Sequence, residues 1–258
     1  MDLSNKVALV TGGASGIGAA ATRLLAGSGA AVAVADLDEV RAKAVADEVG
    51  GLAVPGDVGA PDAMNAVVAT VEQRLGRLDV VLLNAGITAG QRGVEDLDVE
   101  RYRRIMAVNV DHVVFGINAA VPALRRAGGG TIVATASLAG LVPAPGDSIY
   151  TLTKHAVVGY VRAAAPLLAD DGIRVNAVCP GFADTPLLAP ARERFTESGF
   201  PLLTADDVAR AIEQILERGQ PGECWFVQPG REAAAYGFRG VPGPGGHQRP
   251  PAGASENV

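Results

Sequence analysis

A glycine-rich stretch near the start of the chain, Thr11-Gly12-Gly13-Ala14-Ser15-Gly16-Ile17-Gly18, constrains the fold more than any other feature. It follows an apolar run at 7–10 that is typical of a buried strand, and it precedes an Ala/Leu-rich segment that is typical of a helix. Strand, turn and helix N-terminus together form an anion site, because the first helical N–H groups and the helix dipole face outward there. The glycines at 12, 16 and 18 leave room for a pyrophosphate against the backbone. The alternative is a tight turn that binds nothing.

Asp36 favours the first interpretation. It ends a second apolar run, 31–35, at about the 20-residue distance expected for a carboxylate that binds the ribose of a dinucleotide. Such a carboxylate repels a 2′-phosphate. Leu37 follows it, and residues 12–18 contain no Arg or Lys. The sequence therefore predicts NAD rather than NADP, unless Asp36 only caps a helix that begins near Asp38.

Apolar strand patterns alternate with helical patterns along most of the 258 residues, which predicts βαβ units and a parallel sheet. We expect an α/β fold, a Rossmann-type doubly wound sheet of seven parallel strands with helices on both faces, in one domain over 1–239. Strands are predicted near 6–11, 31–35, 51–55, 78–83, 130–136, 172–178 and 223–227. Helices are predicted near 16–28, 38–49, 61–75, 98–126 (with a break near Asn109), 148–169 and 205–218. The Pro/Gly-rich tail, 240–258, is expected to be mobile unless it docks on a neighbour.

Composition excludes several classes of function. The net charge of −6 gives nucleic-acid binding no electrostatic support. No apolar run reaches the length of a membrane span, and residues 1–6 lack a signal-peptide pattern. The two cysteines and three histidines are scattered, so we expect no metal site. These features predict a cytoplasmic protein in a reducing environment.

Polar and small residues follow several of the predicted strands. Asp57 and Val58 follow the third strand, where the acid binds adenine or caps the next helix. Asn84-Ala85-Gly86 follows the fourth, where Asn84 ties adjacent strands together or marks a generic turn. Asn109 lies inside a helical pattern and predicts a local distortion that exposes a carbonyl. Ser137 ends the fifth strand, where its hydroxyl can donate to a substrate oxygen.

Tyr150 and Lys154 are spaced i and i+4, which places them on one helix face. A free tyrosine has a pKa near 10 and is a poor acid or base at neutral pH. A nearby ammonium and an oxidised nicotinamide both favour the phenolate, so the pair can exchange a proton with an alcohol oxygen. Alone, such a pair is usually a surface feature. With the glycine turn, Asp36 and Ser137 it predicts catalysis.

The sixth strand ends at Cys179-Pro180-Gly181, and Thr185 follows at the edge expected for the nicotinamide end. Cys179 is predicted to be a small buried residue rather than a nucleophile. The candidates for a substrate pocket share an apolar side chain: Ile87, Leu138, Leu141, Val142, Phe182, Leu187 and Leu188.

Together these residues resemble the short-chain dehydrogenase/reductase family, in its compact branch. The resemblance covers roughly residues 3–230 and rests on Thr11-Gly12…Gly16-Ile17-Gly18, Asn84-Ala85-Gly86, Asn109, Ser137, Tyr150-Thr-Leu-Thr-Lys154 and Pro180-Gly181…Thr185.

The resemblance implies a role for each residue. Tyr150 would be the general acid/base, with Lys154 lowering its pKa and holding the nicotinamide ribose. Ser137 would polarise the substrate oxygen, and Asn109 would hold a water in a proton relay. The predicted cofactor-binding set is Gly12, Ser15, Gly16, Ile17, Gly18, Asp36, Leu37, Asp57, Val58, Asn84, Ala85, Gly86, Tyr150, Lys154, Pro180, Gly181 and Thr185.

The leading hypothesis is an NAD-dependent dehydrogenase of an apolar secondary alcohol. The alternatives are a biosynthetic ketoreductase that works toward the alcohol, a class that often uses NADPH, and a catalytically silent NAD-binding sensor or scaffold. The family implies a homotetramer or homodimer. Residues 224–230 depart from its usual ending, which often packs at a subunit interface, so both assemblies stay open.

Overall fold

Eight strands form a single sheet in the computed structural model, which describes residues 1–90 and 94–240. The strand order is β3-β2-β1-β4-β5-β6-β7-β8. The strands are β1 (Val7–Thr11), β2 (Ala31–Asp36), β3 (Leu52–Pro55), β4 (Val80–Leu83), β5 (Gly130–Thr135), β6 (Ile173–Pro180), β7 (Cys224–Val227) and β8 (Ala234–Ala235). The first seven are parallel, as predicted, and the order reverses between β1 and β4, so the fold is a single-domain α/β fold of the Rossmann type.

The eighth strand is a difference from the predicted seven. After β7 the chain turns at Gly230, whose φ is +70°, and Ala234 and Ala235 pair antiparallel with Phe226 and Trp225. Two alanines carry no alternating apolar pattern that would predict a strand. β8 forms because the chain returns along the edge of β7 and pairs with it. Of the predicted tail, everything from residue 241 onward lies outside the described residues.

Helices cover both faces of the sheet, and all but the one at 192–198, which was not predicted, lie where the sequence predicts them. They are α1 (Gly16–Gly27), α2 (Glu39–Glu48), α3 (Ala63–Leu75), α4 (Val99–Met106), α5 (His112–Ala127), α6 (Ser148–Leu168), α7 (Arg192–Ser198) and α8 (Ala205–Arg218). Buried residues of α3, α5 and α6 form one core cluster, and those of α1, α2 and α8 form the other. The central strands β1, β4, β5 and β6 are buried on both sides, which explains their Val/Ala-rich sequences.

A π-helical turn, Ala107–Asp111, joins α4 to α5. It falls at the break predicted near Asn109, so that expectation is confirmed. The continuous stretch Val99–Ala127 is long and apolar enough to cross a membrane by length and composition alone. Its apolar residues pack against α3, β4 and β5, however, which is typical of a core helix. The stretch is therefore weak evidence for a membrane segment.

Candidate active site

The sequence-predicted residues meet at one edge of the sheet. β1 ends at Thr11, β2 at Asp36 and β4 at Leu83, just before Asn84. β5 and β6 end beside Ser137 and at Pro180. Ligands of doubly wound folds bind outside the carboxyl ends of the strands, near the point where the strand order reverses. In this protein the carboxyl edge, next to the reversal between β1 and β4, is therefore the expected ligand site.

The glycine turn lies directly against the end of β4. Gly12 and Gly16 have φ values of +61° and +50°, which L side chains rarely adopt. A Cβ on Gly12 would lie 2.8 Å from Ala85 Cα, and one on Gly18 would lie 2.1 Å from the Gly12 carbonyl oxygen. Ser15 is the N-cap of α1, and Ile17 lies in the first turn, whose N–H groups have no acceptor within the helix. The turn therefore presents backbone donors with no side chain in front of them, as a pyrophosphate site requires.

Asp36 lies beside that turn. Its carboxylate accepts hydrogen bonds from the backbone N–H groups of Ala14 and Asp38, both at 3.0 Å. The N-cap of α2 is Asp38, whose side chain accepts from Arg41 N, so the helix-capping alternative for Asp36 is wrong. Leu37 is 66% exposed at the same edge. The carboxylate thus connects the end of β2 to the turn that would hold the phosphates.

Asp57 pairs with a residue that the sequence did not indicate. Arg104 Nη1 of α4 lies 2.7 Å from Asp57 Oδ2, and Gly59 N–H donates to Oδ1 at 3.0 Å. The Arg104 guanidinium holds the pKa of Asp57 below its usual value. α3 begins at Ala63 behind its N-cap Asp62, so Asp57 does not cap it and that alternative is wrong. Val58 beside it is buried.

Asn84 joins three strands. Its amide Nδ2 donates to Gly12 O at 3.2 Å, and its Oδ1 accepts from Thr135 Oγ1 at 3.1 Å. Its backbone N–H donates to Thr11 Oγ1 at 2.9 Å. The predicted tie between β1, β4 and β5 is confirmed, and the generic-turn alternative is wrong. Ala85 and Gly86 continue this surface: a Cβ on Gly86 would lie 3.5 Å from Lys154 Nζ.

Asn109 is fully buried, and its side chain is occupied by protein groups. Its Oδ1 accepts from Ile87 N–H at 2.8 Å, while Nδ2 donates to Ile87 O at 2.9 Å and to Thr153 Oγ1 at 3.1 Å. The side chain therefore anchors the loop after β4 to α6. The side-chain amide of Asn109 is therefore not the group that a water would bond to.

Ser137, Tyr150 and Lys154 form the chemical centre of the edge. Ser137 Oγ accepts from Ala139 N–H at 3.1 Å and lies 3.5 Å from Pro180 O. Lys154 Nζ is 5.5 Å from the centroid of the Tyr150 ring, and it donates to Thr135 O at 2.7 Å. Tyr150 is half-buried and Lys154 is buried. The predicted helix face is therefore formed, with the ammonium behind the ring.

Burial controls the protonation of this pair. It raises the pKa of Tyr150 to about 12; the Ser137 hydroxyl opposes the shift and the Asp147 carboxylate adds to it. It also lowers the pKa of Lys154 to about 8. From the sequence, the ammonium and an oxidised nicotinamide were both expected to lower the tyrosine pKa. Desolvation of the phenolate outweighs that attraction, so the phenol is protonated at neutral pH.

The residues after β6 lie on the outer side of the site. Gly181 N–H donates to Val227 O at 2.9 Å. Thr185 packs against the glycine turn, since a Cβ on Gly16 would lie 3.1 Å from Thr185 Cβ. Cys179 is buried, and its neighbour Cys224 together with that burial raises its pKa, so the prediction that it is not a nucleophile agrees with its environment.

Asp147 was missed by the sequence analysis. Its Oδ1 accepts from Tyr150 N–H at 2.9 Å, as an N-cap of α6. Its Oδ2 accepts from Ala89 N–H at 3.0 Å and Gly90 N–H at 3.1 Å. An acid three residues before Tyr150 is a visible capping signal. Its second contact, to a loop 57 residues or more away, leaves no trace in the local sequence.

A cavity of about 250 Å³ opens beside the contact between Asp147 and residues 89–90. Gly90, Leu97, Tyr102 and Ile149 contribute to its wall, and Ile149 directly precedes Tyr150. The loop after β4 and the start of α6 therefore share one opening at the substrate side of the edge.

Comparison with known proteins identifies the class of this chain. The family model for short chain dehydrogenase matches residues 6–195. The chain belongs to the short-chain dehydrogenase family, and it is accordingly an oxidoreductase.

Individual relatives agree with that assignment. Cyclohexanol dehydrogenase of Acinetobacter sp. (strain SE19) is 42% identical over 195 residues, which is 74% of this chain and 78% of the relative. Cis-4-hydroxycyclohexanecarboxylate dehydrogenase of Sinomonas cyclohexanicum is 40% identical over 220 residues, 81% of this chain and 88% of the relative. The crystal structure of 3-ketoacyl-(acyl-carrier-protein) reductase from Brucella melitensis, complexed with NADH, has a TM-score of 0.83 at 32% identity. It covers 89% of this chain and 99% of the other.

Proposed function

We propose that this protein is an NAD(H)-dependent oxidoreductase that interconverts a secondary alcohol and a ketone. The observation that carries the proposal is the convergence of Ser137, Tyr150 and Lys154 on the carboxyl edge, beside a glycine turn built for a pyrophosphate. A protein that only binds a dinucleotide needs the turn but has no use for this group of side chains.

In the proposed mechanism the chain supplies positioning and proton transfer. The Ser137 hydroxyl donates to the substrate oxygen, and the Tyr150 phenol gives a proton to that oxygen or takes one from it. A nicotinamide, when bound, would accept or supply the hydride. Its positive charge in the oxidised form favours the phenolate, and this opposes the effect of burial on the pKa of Tyr150.

Lys154 and Asn109 complete the proposed proton path. The Lys154 ammonium, held by Thr135 O, lies behind the Tyr150 ring and stabilises negative charge there. Because the side-chain amide of Asn109 is occupied by Ile87 and Thr153, the water that we propose between Lys154 and solvent would bond to the Asn109 carbonyl.

The cofactor-binding residues fit a dinucleotide. The backbone donors of 12–18 would hold its phosphates, and the Asp36 carboxylate would accept from its ribose hydroxyls. Asp57 and Val58 would line the adenine site, with Arg104 orienting the Asp57 carboxylate. Asn84, Ala85 and Gly86 would back the nicotinamide half, and Pro180, Gly181 and Thr185 would close over it.

The preference for NAD is tested at Asp36. Replacing Asp36 by Ala removes both the ribose acceptor and the charge that repels a 2′-phosphate. We expect kcat/KM for NAD to fall about tenfold or more and the NAD/NADP ratio to fall further. Because Asp36 also accepts from Ala14 N–H and Asp38 N–H, Asp36→Asn is the matched control: it removes the charge and keeps one of the two acceptor oxygens. If neither variant changes the ratio of kcat/KM for NAD to that for NADP, Asp36 does not bind the cofactor ribose.

The proposed substrate is an apolar, ring-sized secondary alcohol. Its support is the exposed apolar side chains of Val142, after β5, and of Phe182 and Leu187, after β6, together with relatives named for cyclohexanol and hydroxycyclohexanecarboxylate.

The test of the reaction is NADH formation across a panel of secondary alcohols, with Tyr150→Phe alongside. We expect turnover of cyclic alcohols, lost by about a thousandfold in the variant, with NADH affinity within about twofold of the original. Retained turnover in Tyr150→Phe would refute the mechanism. NADH binding without turnover of any alcohol or ketone would favour a sensor or scaffold.

A ketoreductase that works toward the alcohol is the second candidate, favoured by the similarity to the Brucella reductase. It predicts faster turnover of ketones than of alcohols, and Asp36 opposes the NADPH that such reductases often use. We further propose a cytoplasmic homodimer or homotetramer without nucleic-acid or membrane partners. Light scattering on the purified chain distinguishes the two assemblies.

A further inference from the structure

His112 is a buried titratable residue that the proposed mechanism does not use. It is the first residue of α5, directly after the π-helical turn, and it has no exposed surface. Its Nδ1 lies 3.1 Å from Val108 O, and its Nε2 lies 3.0 Å from Thr11 Oγ1. The ring thus spans from the π-helical turn to the end of β1.

These two contacts determine the tautomer. A carbonyl oxygen only accepts hydrogen bonds, so Nδ1 carries the proton and donates to Val108 O. Burial lowers the pKa of His112 to about 4, so the ring is neutral at physiological pH and Nε2 is an acceptor. The Thr11 hydroxyl therefore donates to Nε2. Its other possible acceptor, Leu82 O, is farther away at 3.3 Å.

With its proton directed at His112, the Thr11 oxygen is free to accept. The N–H groups of Asn84 and Ala85 lie 2.9 and 3.3 Å from Thr11 Oγ1. Thr11 ends β1, and Asn84 and Ala85 follow the end of β4. One hydroxyl, oriented by one imidazole, therefore sets how the ends of these two central strands meet.

That junction is also the floor of the cofactor site. Gly12 follows Thr11, and a Cβ there would lie 2.8 Å from Ala85 Cα. Asn84 Nδ2 donates to Gly12 O. A shift of Asn84 and Ala85 by a few tenths of an ångström would therefore move the glycine turn relative to the surface that backs the nicotinamide.

We propose that His112 is a positioning residue for the dinucleotide: as the Nδ1–H tautomer, it orients the Thr11 hydroxyl that holds Asn84 and Ala85 against the glycine turn. This inference rests on the proposed function, because it assigns His112 to the site where NAD(H) would bind.

Two substitutions separate the two contacts of the ring. The amide of Asn at position 112 reaches about as far as Nδ1 and keeps the bond to Val108 O, whereas the longer Gln places its amide near Nε2 and keeps the bond to Thr11. NADH affinity is measured by fluorescence titration of the full-length protein. We expect His112→Asn to weaken NADH binding about fivefold, the scale of one lost hydrogen bond, and His112→Gln to stay within about twofold. A merely structural role would weaken both alike.

NADH affinity is measured in the same way for Thr11→Val. It removes the hydroxyl itself, so it should weaken NADH binding at least as much as His112→Asn. The double variant should then be no weaker than Thr11→Val, because both changes act through one group. Additive losses, or wild-type NADH affinity in His112→Asn, would overturn the inference while leaving the proposed function intact.

Nitrogen-15 NMR of the histidine rings in the wild-type protein tests the tautomer without any ligand or variant. The His112 ring is expected to be neutral, protonated at Nδ1 and still neutral at pH 5; protonation of the neutral His112 ring at Nε2 would overturn the inference. Failure of the wild-type protein to bind NADH or NADPH would instead refute the proposed function.

Discussion

The inner and outer parts of the carboxyl edge are held together by different kinds of contact. In the inner part, residues 11–18, 36 and 84–86, backbones approach so closely that a single Cβ would collide with them. In the outer part, residues 182–203, three half-exposed aromatic rings pack on one another. The Phe182 ring lies 4.5 Å from Phe195 and 5.8 Å from Phe200, between centroids.

This difference separates the two halves of the proposed reaction. Gly12 and Gly18 in the inner part tolerate no added Cβ, because their closest contacts are backbone to backbone, and the ligand of this part would be the same whatever the alcohol. The outer part is held by side chains and by the pairing of Ala183 with Leu203. Apart from Thr185 and Pro186, which lie against the glycine turn, its side chains can change without moving the inner part, so it is where substrate preference can vary.

The largest expected effect is a methyl group added to the inner part. Gly18→Ala would place a Cβ 2.1 Å from Gly12 O, so the turn must move. We expect NADH affinity to fall more than about tenfold and the melting temperature to fall by several degrees.

Gly27→Ala is the matched control, since it lies in the same helix and nothing is within 4 Å of its added Cβ. It should keep NADH affinity and leave stability unchanged or higher by up to about 1 kcal/mol. Equal losses of NADH affinity in Gly18→Ala and Gly27→Ala would contradict the conclusion that close backbone contacts constrain the inner part.

A smaller effect is expected at Asp147, which connects the catalytic helix to the loop after β4. Asp147→Asn keeps an acceptor for Tyr150 N–H, loses the acceptor for Ala89 and Gly90 N–H, and removes the carboxylate charge that helps to raise the pKa of Tyr150. The phenolate then forms more easily, so the rise of alcohol oxidation with pH should move to lower pH by about half a unit. The pH dependence of kcat/KM measures this shift.

Other groups that influence Tyr150 are Ser137 and Cys179, and neither changes in this variant. Asp98→Asn serves as the control, because Asp98 caps α4 through Arg101 N–H in the same way. A pH profile that moves upward, or moves equally in the control, would exclude the electrostatic role of Asp147.

The smallest effect is expected in the outer part. Phe200→Ala removes one ring of the aromatic cluster, so KM for bulky alcohols should change about two- to fivefold while NADH affinity stays unchanged. Phe238→Ala is the control: it removes a similarly exposed ring that lies 5.0 Å from Tyr236 and 3.8 Å from the Arg162 guanidinium. It should leave KM unaltered. A loss of NADH affinity in Phe200→Ala would show that the two parts are coupled.

The same difference explains what could be predicted from the sequence. The seven parallel strands, the glycine turn, the place of Asp36 and the distortion at Asn109 follow from local patterns, because each depends on neighbours in the chain. α7, Arg192–Ser198, has no buried residue and hence no apolar periodicity to detect. Three other contacts join residues that are 47 to 101 positions apart in the chain: Asp147 with Ala89, Arg104 with Asp57, and His112 with Thr11. The raised pKa of Tyr150 depends on burial, which spacing does not encode.

β8 has a consequence for the behaviour of the chain at high concentration. An exposed edge strand invites another chain to add to it and so begins aggregation. The two residues of β8 cover part of β7, and the opposite edge, β3, has four residues and ends at Pro55, which has no N–H to donate. Neither edge is a good template for a further strand. Deleting residues 231–240 would uncover Trp225 and Phe226 on β7, and the shortened chain should precipitate at concentrations where the intact one stays clear.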